Sequence, residues 1–480
     1  MEQTPTSDGI VLCVDLDGTL LRSDLLVETA LALLARRPWM LLAMLWWLAG
    51  GKARLKREIA ARVALEPAHL PWDERVLDLV REAEGRHRVL CTASDHRLAS
   101  LVSLHLGCFD EVIASDGERN LAGSRKASTL VERFGAGGFD YIGNAAPDLH
   151  VWAHARGAIV VNAGPGLARQ AARATTLLAH LPAEGGGLRS WVRALRLHQW
   201  LKNLLVFVPL LASHRVLEPE ASLSAGLAFL AFGLVASGVY LLNDLLDLPS
   251  DRQHARKRLR PFAAGTLPVL HGLVAAPLLT LAGLALGWLA DPLFALVLAG
   301  YYALTLAYSL ALKRVTMLDV MVLAGLYTVR IIGGAAAIGA GLSFWLLAFS
   351  MFVFLSLAML KRYTELHAML QQGRQQAAGR GYSVEDLPLL QSLGAAAGYL
   401  AVLVLALYID SPEGAALYRT PEALWLLCPL MLYWISRVWV VAHRGAMHDD
   451  PIVFAVRDRV SQGVAVLGAL VVLAALRPWP

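Results

Sequence analysis

The feature that most constrains this chain is a series of apolar runs, each close to 20 residues long, from about Leu201 to the C-terminus. A helix of about 20 apolar residues is long enough to cross the hydrocarbon core of a bilayer. Of the 480 residues, 56% are hydrophobic and 17% are charged, which is outside the usual range of soluble proteins. The sequence therefore predicts an all-α polytopic membrane bundle that follows a more polar N-terminal domain.

We predict nine transmembrane helices in this bundle. If the N-terminus is inside, the loops after the second, fourth, sixth and eighth helices are cytoplasmic. These loops contain most of the basic residues of the bundle. Basic loops favour the cytoplasmic side, and the first ten residues lack a secretory signal pattern. We therefore expect a multi-pass protein of the cell (inner) membrane with a cytoplasmic N-terminal domain and cytoplasmic active sites. The predicted helices lie near 203–217, 222–245, 267–290, 292–312, 317–340, 342–360, 387–409, 421–442 and 460–476.

Three domain segments are predicted: 1–183, a linker with an interfacial amphipathic helix at 184–197, and the membrane domain at 198–480. The linker starts with a glycine-rich junction and continues with arginines interleaved with leucines and a tryptophan. Such a pattern is typical of a helix that rests on anionic headgroups. The four cysteines are far apart in mostly apolar surroundings, which predicts buried, reduced thiols.

Acidic residues follow the first apolar run of the N-terminal domain. Residues 10–14 read as a buried strand, and the polar stretch DLDGTLLRSD begins directly after it. Asp15 and Asp17 alternate at the strand end, so one carboxylate can attack phosphorus while the other transfers a proton. Gly18 permits a tight turn, and Thr19 supplies a hydroxyl group. This pattern predicts a phosphoryl-transfer site.

The stretch resembles the DxDGT motif of the haloacid dehalogenase superfamily. Three further motifs follow in the family's order, at Thr92, at Lys126 and in YIGNAAPD, which contains Asp148. The resemblance implies a Rossmann-like α/β fold with a helical cap at about 25–88. It also implies that Asp15 forms an aspartyl-phosphate and that Asp17 is the acid/base.

The same resemblance implies the remaining site residues of the domain. The substrate phosphoryl group would be bound by Thr19, Thr92 and Lys126, and Mg²⁺ by Asp15, Asp17 and Asp148. One position departs from the family pattern, because Asn144 replaces the first carboxylate of the last motif. Two interpretations remain open: an active phosphatase, which we favour, and a degenerate domain that is kept for folding.

The predicted cap contains an unusual apolar segment, PWMLLAMLWWLAGG, followed by the basic stretch KARLKR. The segment is too short to span a bilayer. Tryptophans beside lysines and arginines are typical of a helix in the membrane interface. A buried cap core is the alternative.

Three further carboxylates lie at the end of the second predicted transmembrane helix. Asn243, Asp244, Asp247 and Asp251 follow helical i, i+3 or i+4 spacing. Three carboxylates at a membrane boundary repel one another unless a divalent cation neutralises them, and Mg²⁺ prefers such oxygen ligands. Arginines that follow can bind phosphate oxygens; these are Arg258 and Arg260. A solvated loop with incidental acids is the alternative.

The string NDLLDLPSD and the later RPFAAG resemble the NDxxDxxxD and RPxxxG motifs of the UbiA superfamily of intramembrane prenyltransferases. The resemblance covers about 198–480 and implies nine helices around a central cavity. Tyr308, Lys313 and Asp319 match the family's second substrate-binding stretch. The resemblance implies catalytic and metal-binding roles for Asp244, Asp247 and Asp251, and a substrate-binding role for Asn243.

A second acidic motif, found in the aromatic prenyltransferases of this superfamily, is replaced here by the basic residues Lys361 and Arg362. This stretch, together with RLHQWLKN, which contains Lys202 and Asn203, resembles the polyprenyl-phosphate phosphoribosyltransferase branch. The resemblance implies phosphoribosyl diphosphate as donor and a polyprenyl phosphate, such as decaprenyl phosphate, as acceptor. The product keeps a 5-phosphate, which the N-terminal phosphatase would remove.

The leading hypothesis is thus a bifunctional membrane enzyme with Mg²⁺ at both sites. The alternatives are a UbiA-type aromatic prenyltransferase with an accessory N-terminal domain, and a binding protein with two inactive sites. We expect a membrane partner and no nucleic-acid partner, and the membrane domain is compatible with an oligomer.

Overall fold

The computed structural model describes residues 9–116, 120–254, 256–373, 381–447 and 450–476. The chain forms two compact units. The first unit contains Met1–Leu195 together with Tyr240–Ala276, and the second contains Arg196–Val239 and Pro277–Pro480. A segment that follows the second predicted transmembrane helix therefore belongs to the same unit as the N-terminal part of the chain.

A six-stranded parallel sheet forms the centre of the first unit, in the order β3-β2-β1-β4-β5-β6. This is a doubly wound order, and it is compatible with the predicted Rossmann-like fold. Leu12 and Val14 of β1 pack on one face and Cys13 packs on the other, so both faces are covered by apolar side chains. The strands are β1 (Val11–Val14), β2 (Arg88–Asp95), β3 (Glu111–Ser115), β4 (Phe139–Gly143), β5 (Gly157–Val161) and β6 (Thr176–Leu181).

Helices cover the sheet and form the insert between β1 and β2. Asp24, Asp73 and Asp95 each accept a hydrogen bond from a backbone N–H at the start of a helix, which fixes where these helices begin. The helices are α1 (Leu25–Arg36), α2 (Met40–Ala49), α3 (Lys52–Ala60), α4 (Glu74–Glu82), α5 (His96–Leu106), α6 (Ser124–Phe134), α7 (Leu149–Trp152), α8 (Pro165–Ala174) and α9 (Leu188–Leu195).

Helix α2 is the apolar segment of the insert, and most of its surface is exposed. The exposed fractions are 68% for Trp39, 75% for Leu42 and 64% for Trp46. Only Trp47 is buried, in a small cluster with residues of α1 and α3. The alternative of a buried cap core is therefore wrong for one face of this helix. The four cysteines are free and buried, as predicted.

The rest of the chain is helical. Its helices are α10 (Val208–Ala212), α11 (Pro219–Leu246), α12 (Leu248–Gln253), α13 (Val269–Ala290), α14 (Pro292–Leu310), α15 (Leu318–Ala337), α16 (Phe344–Gln371), α17 (Leu387–Ile409), α18 (Pro412–Leu417), α19 (Leu427–His443), α20 (Pro451–Arg457) and α21 (Arg459–Ala475). Within the described residues, seven helical segments are long and apolar enough to cross a membrane, and an eighth is formed if α20 and α21 are one span bent by 76°.

The prediction of nine transmembrane helices is therefore wrong for the described part of the chain. The first predicted helix, 203–217, is instead the end of a 3₁₀ segment, Leu197–Phe207, followed by the short α10. Lys202 and Asn203 in this segment are buried by protein partners, which explains why an apolar helix across lipid is not formed. Helix α16 also continues to Gln371, so the predicted loop after residue 360 starts as a helix.

Small residues bring the helices of the second unit close together. A side chain at Gly394 would collide with Trp439, and one at Gly334 would lie 2.0 Å from the carbonyl oxygen of Val206. Such close approach through glycine is typical of membrane helix bundles, where dispersion contacts stabilise the association of helices.

Candidate functional sites

The acidic segment of the first unit, residues 243–251, runs from the last turn of α11 into α12. Asp251 donates its backbone N–H to the carbonyl of Asp247, so the chain keeps a helical course into α12. Asp244 and Asp251 are buried, and both accept hydrogen bonds from Nη1 of Arg260, which is 3.1 Å from Asp244 Oδ1. Two of the three predicted carboxylates thus meet on one guanidinium group.

The remaining predicted residues of this segment are more exposed. Asp247 and Asn243 are half-buried, and Arg258 is exposed in the turn Lys257–Leu259. In the described part of the chain, no three His, Cys, Asp or Glu side chains are grouped closely enough to hold a metal ion. One oxygen, Oδ1 of Asp251, is buried without a hydrogen-bond partner among the described residues, and Nζ of Lys257 lies 3.8 Å from it.

In the second unit, two lysines share one carboxylate. Nζ of Lys202 and Nζ of Lys361 lie 2.8 Å and 3.0 Å from the same oxygen, Oδ2 of Asp450. The Asp450 side chain is 10% exposed. From the sequence, Asp450 and its neighbour Asp449 can be interpreted either as site residues or as acids that only solvate a loop. The structure gives Asp450 this buried contact, and Asp449 lies outside the described residues. Two ammonium groups on one carboxylate leave an excess positive charge, which suits a phosphate group.

Arg362, next to Lys361 in α16, has a second set of partners. It donates from Nε to Asp319 and from Nη2 to the hydroxyl oxygen of Tyr308, at 2.8 Å. Tyr382, which the sequence did not indicate, donates to the other Asp319 oxygen at 2.6 Å. Three predicted site residues, Tyr308, Asp319 and Arg362, are therefore brought together by direct hydrogen bonds.

Asn203 is buried beside a residue that the sequence also did not indicate. Its Oδ1 accepts a hydrogen bond of 3.0 Å from Arg330, which also donates to the hydroxyl oxygen of Tyr301. Lys313 is half-buried in the short turn Leu312–Arg314, after α14.

The N-terminal site lies at the carboxyl ends of β1 and β4. Nζ of Lys126 donates to Asp15 Oδ1 at 2.9 Å and to the Tyr141 hydroxyl at 2.8 Å. Tyr141 in turn donates to Asp148 at 3.1 Å, and the backbone N–H groups of 144 and 145 donate to the other Asp148 oxygen. Lys126 and Tyr141 therefore connect Asp15 to Asp148. Tyr141 escaped the sequence analysis because an apolar-looking strand contains it.

Asp17 is held by different partners. It accepts a hydrogen bond of 2.8 Å from the backbone N–H of Leu25 and one of 2.7 Å from the Ser94 hydroxyl. Burial, together with the nearby Asp24 carboxylate, raises the pKa of Asp17 to about 7. Burial likewise raises the pKa of Asp15 to about 6, although the Lys126 ammonium opposes this rise. A proton on Asp17 near neutral pH suits a general acid.

The two predicted threonines are buried in the same region. Thr92 Oγ1 accepts a hydrogen bond from the backbone N–H of Ser94, and Thr19 Oγ1 has no hydrogen-bond partner among the described residues. Gly18 has a φ of +75°, and a Cβ atom there would lie 2.1 Å from the Asn144 amide nitrogen. The Asn144 side chain therefore lies directly against the turn after Asp17.

Comparisons with known proteins find relatives of the membrane part and a relative of nearly the whole chain. The chain is 39% identical over 462 residues to an uncharacterized protein, y4nM, of Sinorhizobium fredii, which covers 95% of this chain and 89% of the relative. It is 33% identical over 281 residues to a decaprenyl-phosphate phosphoribosyltransferase of Mycobacterium tuberculosis, with 57% of this chain and 90% of that enzyme covered. A solved UbiA homolog from Archaeoglobus fulgidus bound to GPP and Mg²⁺ is 15% identical, with a TM-score of 0.45, and the match covers 59% of this chain and 99% of that one.

The family comparison covers more than half of the chain. The model of the UbiA prenyltransferase family matches residues 204–475, a range that includes the acidic segment, Lys361 and Asp450 and begins two residues after Lys202. The chain belongs to the UbiA prenyltransferase family.

Proposed function

We propose that this membrane enzyme transfers 5-phosphoribose from phosphoribosyl diphosphate to a polyprenyl phosphate such as decaprenyl phosphate. The observation that carries this proposal is the contact of Lys202 and Lys361 with one oxygen of Asp450. A basic site of this kind suits phosphate groups on both substrates, whereas ionisation of an allylic diphosphate favours a second acidic, metal-binding motif. The similarity to the mycobacterial phosphoribosyltransferase supports the same assignment.

In this reaction an oxygen of the lipid phosphate attacks the anomeric carbon of the donor. A carbon–oxygen bond forms, and the bond from this carbon to the diphosphate breaks with its electron pair on the leaving diphosphate. Lys202, Lys361 and Arg362 would bind phosphate oxygens and orient them. Tyr308 and Asp319 would hold Arg362 in place through their hydrogen bonds.

Mg²⁺ would be held by the acidic segment. The donor set fits, because Asp244, Asp247 and Asp251 supply the hard oxygen ligands that Mg²⁺ prefers, and Asp251 Oδ1 is buried without a hydrogen-bond partner among the described residues. The ion would supply charge neutralisation for the diphosphate. Arg260, which donates to Asp244 and Asp251, would hold the two carboxylates together and can bind a phosphate oxygen.

The N-terminal domain would remove the 5-phosphate of the product as a haloacid dehalogenase-type phosphatase. Asp15 would attack phosphorus, and the ribose oxygen would leave with the proton of Asp17; water would then hydrolyse the aspartyl-phosphate. Lys126 would pair with a phosphoryl oxygen, and Thr19 and Thr92 lie in the same buried region. The oxygen donors Asp15, Asp17 and Asp148 suit Mg²⁺, which would supply charge neutralisation at this site too.

We propose that both sites face the cytoplasm and that α2 rests in the membrane interface. The predicted cytoplasmic loops contain most of the basic residues of the membrane bundle, and basic loops favour the cytoplasmic side. The exposed apolar side chains of α2 are flanked by Arg36, Arg37, Lys52 and Arg54, and no acidic residue occurs between 28 and 58. This arrangement suits an anionic lipid surface and would bring the phosphatase site to a lipid-linked substrate.

Lipid mass spectrometry tests the proposed transfer. Purified protein with Mg²⁺, phosphoribosyl diphosphate and decaprenyl phosphate should form decaprenylphosphoryl ribose. We expect Lys361→Met to reduce transfer by about 100-fold, since a hydrogen bond to a charged group contributes about 1.5–3 kcal/mol. Arg81→Met, which removes an exposed positive charge on α4, is the control. Prenylation of an aromatic acceptor without ribosylated lipid would instead establish an aromatic prenyltransferase.

A further inference from the structure

A buried ion pair joins the N-terminal insert to the acidic segment. The guanidinium nitrogens of Arg252 donate to both carboxylate oxygens of Glu28, at 2.9 Å and 2.7 Å. The two side chains are only 6% and 4% exposed. A bidentate pair with this burial is geometrically specific, and removing one partner leaves an uncompensated charge.

Each member of the pair is also fixed on its own side. The Ser23 hydroxyl donates to Glu28, and Nε of Arg252 donates to the carbonyl of Ala263 at 3.2 Å. Next to this contact, Gly265 has a φ of +68°, and a Cβ atom there would lie 2.7 Å from Cβ of Arg22. The loop before α13 is thus packed against the start of the insert, with no room for a side chain at Gly265.

Arg252 directly follows Asp251, and both residues are in α12. Asp251 accepts a hydrogen bond from Arg260, which also donates to Asp244. Helix α12 has only six residues, so the buried contacts of Arg252 restrict where the adjacent Asp251 can lie. The position of α12 therefore decides whether Asp244 and Asp251 can share one ligand.

We infer that Glu28 is a positioning residue for the acidic segment of the transferase, so that the N-terminal domain holds Asp251 in place beside Asp244. The inference rests on the proposed function only for the roles of these aspartates. Helix α1, which contains Glu28, is fixed at its first residue by the hydrogen bond from the Leu25 N–H to Asp17. One short helix thus connects the phosphatase acid/base to the transferase carboxylates.

The main test compares Glu28→Gln with Glu58→Gln in the full-length protein. Glu58 lies on α3 of the same insert and pairs with Arg62 at the surface, so its variant has the same chemical change without the contact to α12. Hydrogen exchange in the absence of metal should become faster in peptides that cover 244–253 for Glu28→Gln and should stay unchanged for Glu58→Gln.

Kinetics give a second measurement. Outer partners of a metal site typically affect metal affinity or activity by about 10- to 100-fold. We expect the Mg²⁺ concentration for half-maximal transfer to rise about 10-fold in Glu28→Gln, with a smaller change in kcat. Arg252→Gln should show the same rise, and the Glu28→Gln/Arg252→Gln protein should show no more than either single variant, because both act through one contact.

The outcomes separate this inference from the proposed function. Unchanged exchange in 244–253 together with an unchanged Mg²⁺ requirement would overturn the positioning role, whatever reaction the enzyme catalyses. Faster exchange in Glu28→Gln, together with no transfer to polyprenyl phosphate by the wild-type protein, would support the positioning role and refute the substrate assignment. Equal loss of exchange protection across the whole first unit would show that Glu28 only stabilises the fold and would also overturn the inference.

Discussion

At the scale of single residues, Asp15 and Asp17 have different environments although they are two positions apart. Asp15 pairs with the Lys126 ammonium, whereas the Asp17 carboxylate accepts hydrogen bonds from a backbone amide and a hydroxyl group among the described residues. Environments that give two carboxyl groups different pKa values allow one to attack as a carboxylate while the other donates a proton.

Asp15→Asn removes the attacking oxygen of the proposed phosphatase. We expect dephosphorylation to fall by about 10³-fold or more, as for other nucleophile replacements. The lipid with a 5-phosphate should then accumulate, as measured by mass. Asp78→Asn, an exposed substitution on α4, is the control. Normal release of phosphate by Asp15→Asn would refute the proposed order of the two reactions.

Asp73 is a structural carboxylate whose removal should destabilise the first unit. Burial raises its pKa, but hydrogen bonds from Arg75, Arg22 and Asn162 outweigh this and hold the pKa well below its usual range. Asp73→Asn removes the buried carboxylate of this cluster and leaves Arg22 and Arg75 paired with the exposed Glu184. The substitution should cost about 3 kcal/mol. Scanning fluorimetry at pH 7 should show a lower unfolding midpoint, and Glu82→Gln should not.

The pH dependence has a defined sign. Because the folded pKa of Asp73 is depressed, its contribution is fully present above the unfolded pKa of about 3.9 and is lost as the pH falls towards the folded pKa. The gap in midpoint between wild type and Asp73→Asn should therefore shrink below about pH 4. A gap that stays constant down to pH 3 would contradict this account.

Spacing along the chain predicted only the local part of these sites. Asp15 and Asp17 share a strand end, and Asp244 and Asp251 share a helical course. Their separation along the chain was therefore enough to predict that each pair lies in one site. Tyr141, Asp450 and Glu28 have partners that are 15 to 248 residues away. Such contacts depend on the packing of elements and leave no periodic pattern.

At the scale of elements, α2 is the clearest departure from a soluble domain. Replacing Trp39, Leu42 and Trp46 by serine removes apolar area that would insert into lipid, where each large side chain contributes about 1.5–3 kcal/mol when fully buried. We expect dephosphorylation of the lipid substrate to fall by at least about 10-fold, while hydrolysis of a soluble phosphate ester stays constant. Leu104→Ser, at another exposed leucine, should leave both rates unchanged. Equal losses on both substrates would argue against membrane contact.

The apolar runs predicted most membrane helices well. The runs at 387–409 and 421–442, for example, correspond closely to α17 and to the segment that ends with α19. The run at 203–217 failed because hydropathy does not record tertiary contacts at its start. Asn203 and the preceding Lys202 are buried against Arg330 and Asp450. The end of α16 was missed because the chain stays helical after its apolar part.

At the scale of the whole molecule, the first unit is assembled from two separate chain segments. Glu28→Gln should therefore have opposite effects in two proteins. In the full chain it removes the buried partner of Arg252 and should lower the unfolding midpoint. In a fragment of residues 1–195 it removes a carboxylate that lacks Arg252 and should raise the midpoint. Scanning fluorimetry of both pairs measures the signs, and the same sign in both would contradict the role of the ion pair.

This division has a consequence for biosynthesis. At about 5–20 residues per second, the ribosome needs roughly 4 to 16 s to extend the nascent chain from residue 195 to residue 276. Until residues 252 and 265 have been synthesised, Glu28 lacks its partner Arg252, and Arg22 lacks its packing contact with Gly265. Chaperones and proteases therefore meet an incomplete first unit until the segment Tyr240–Ala276 has been synthesised.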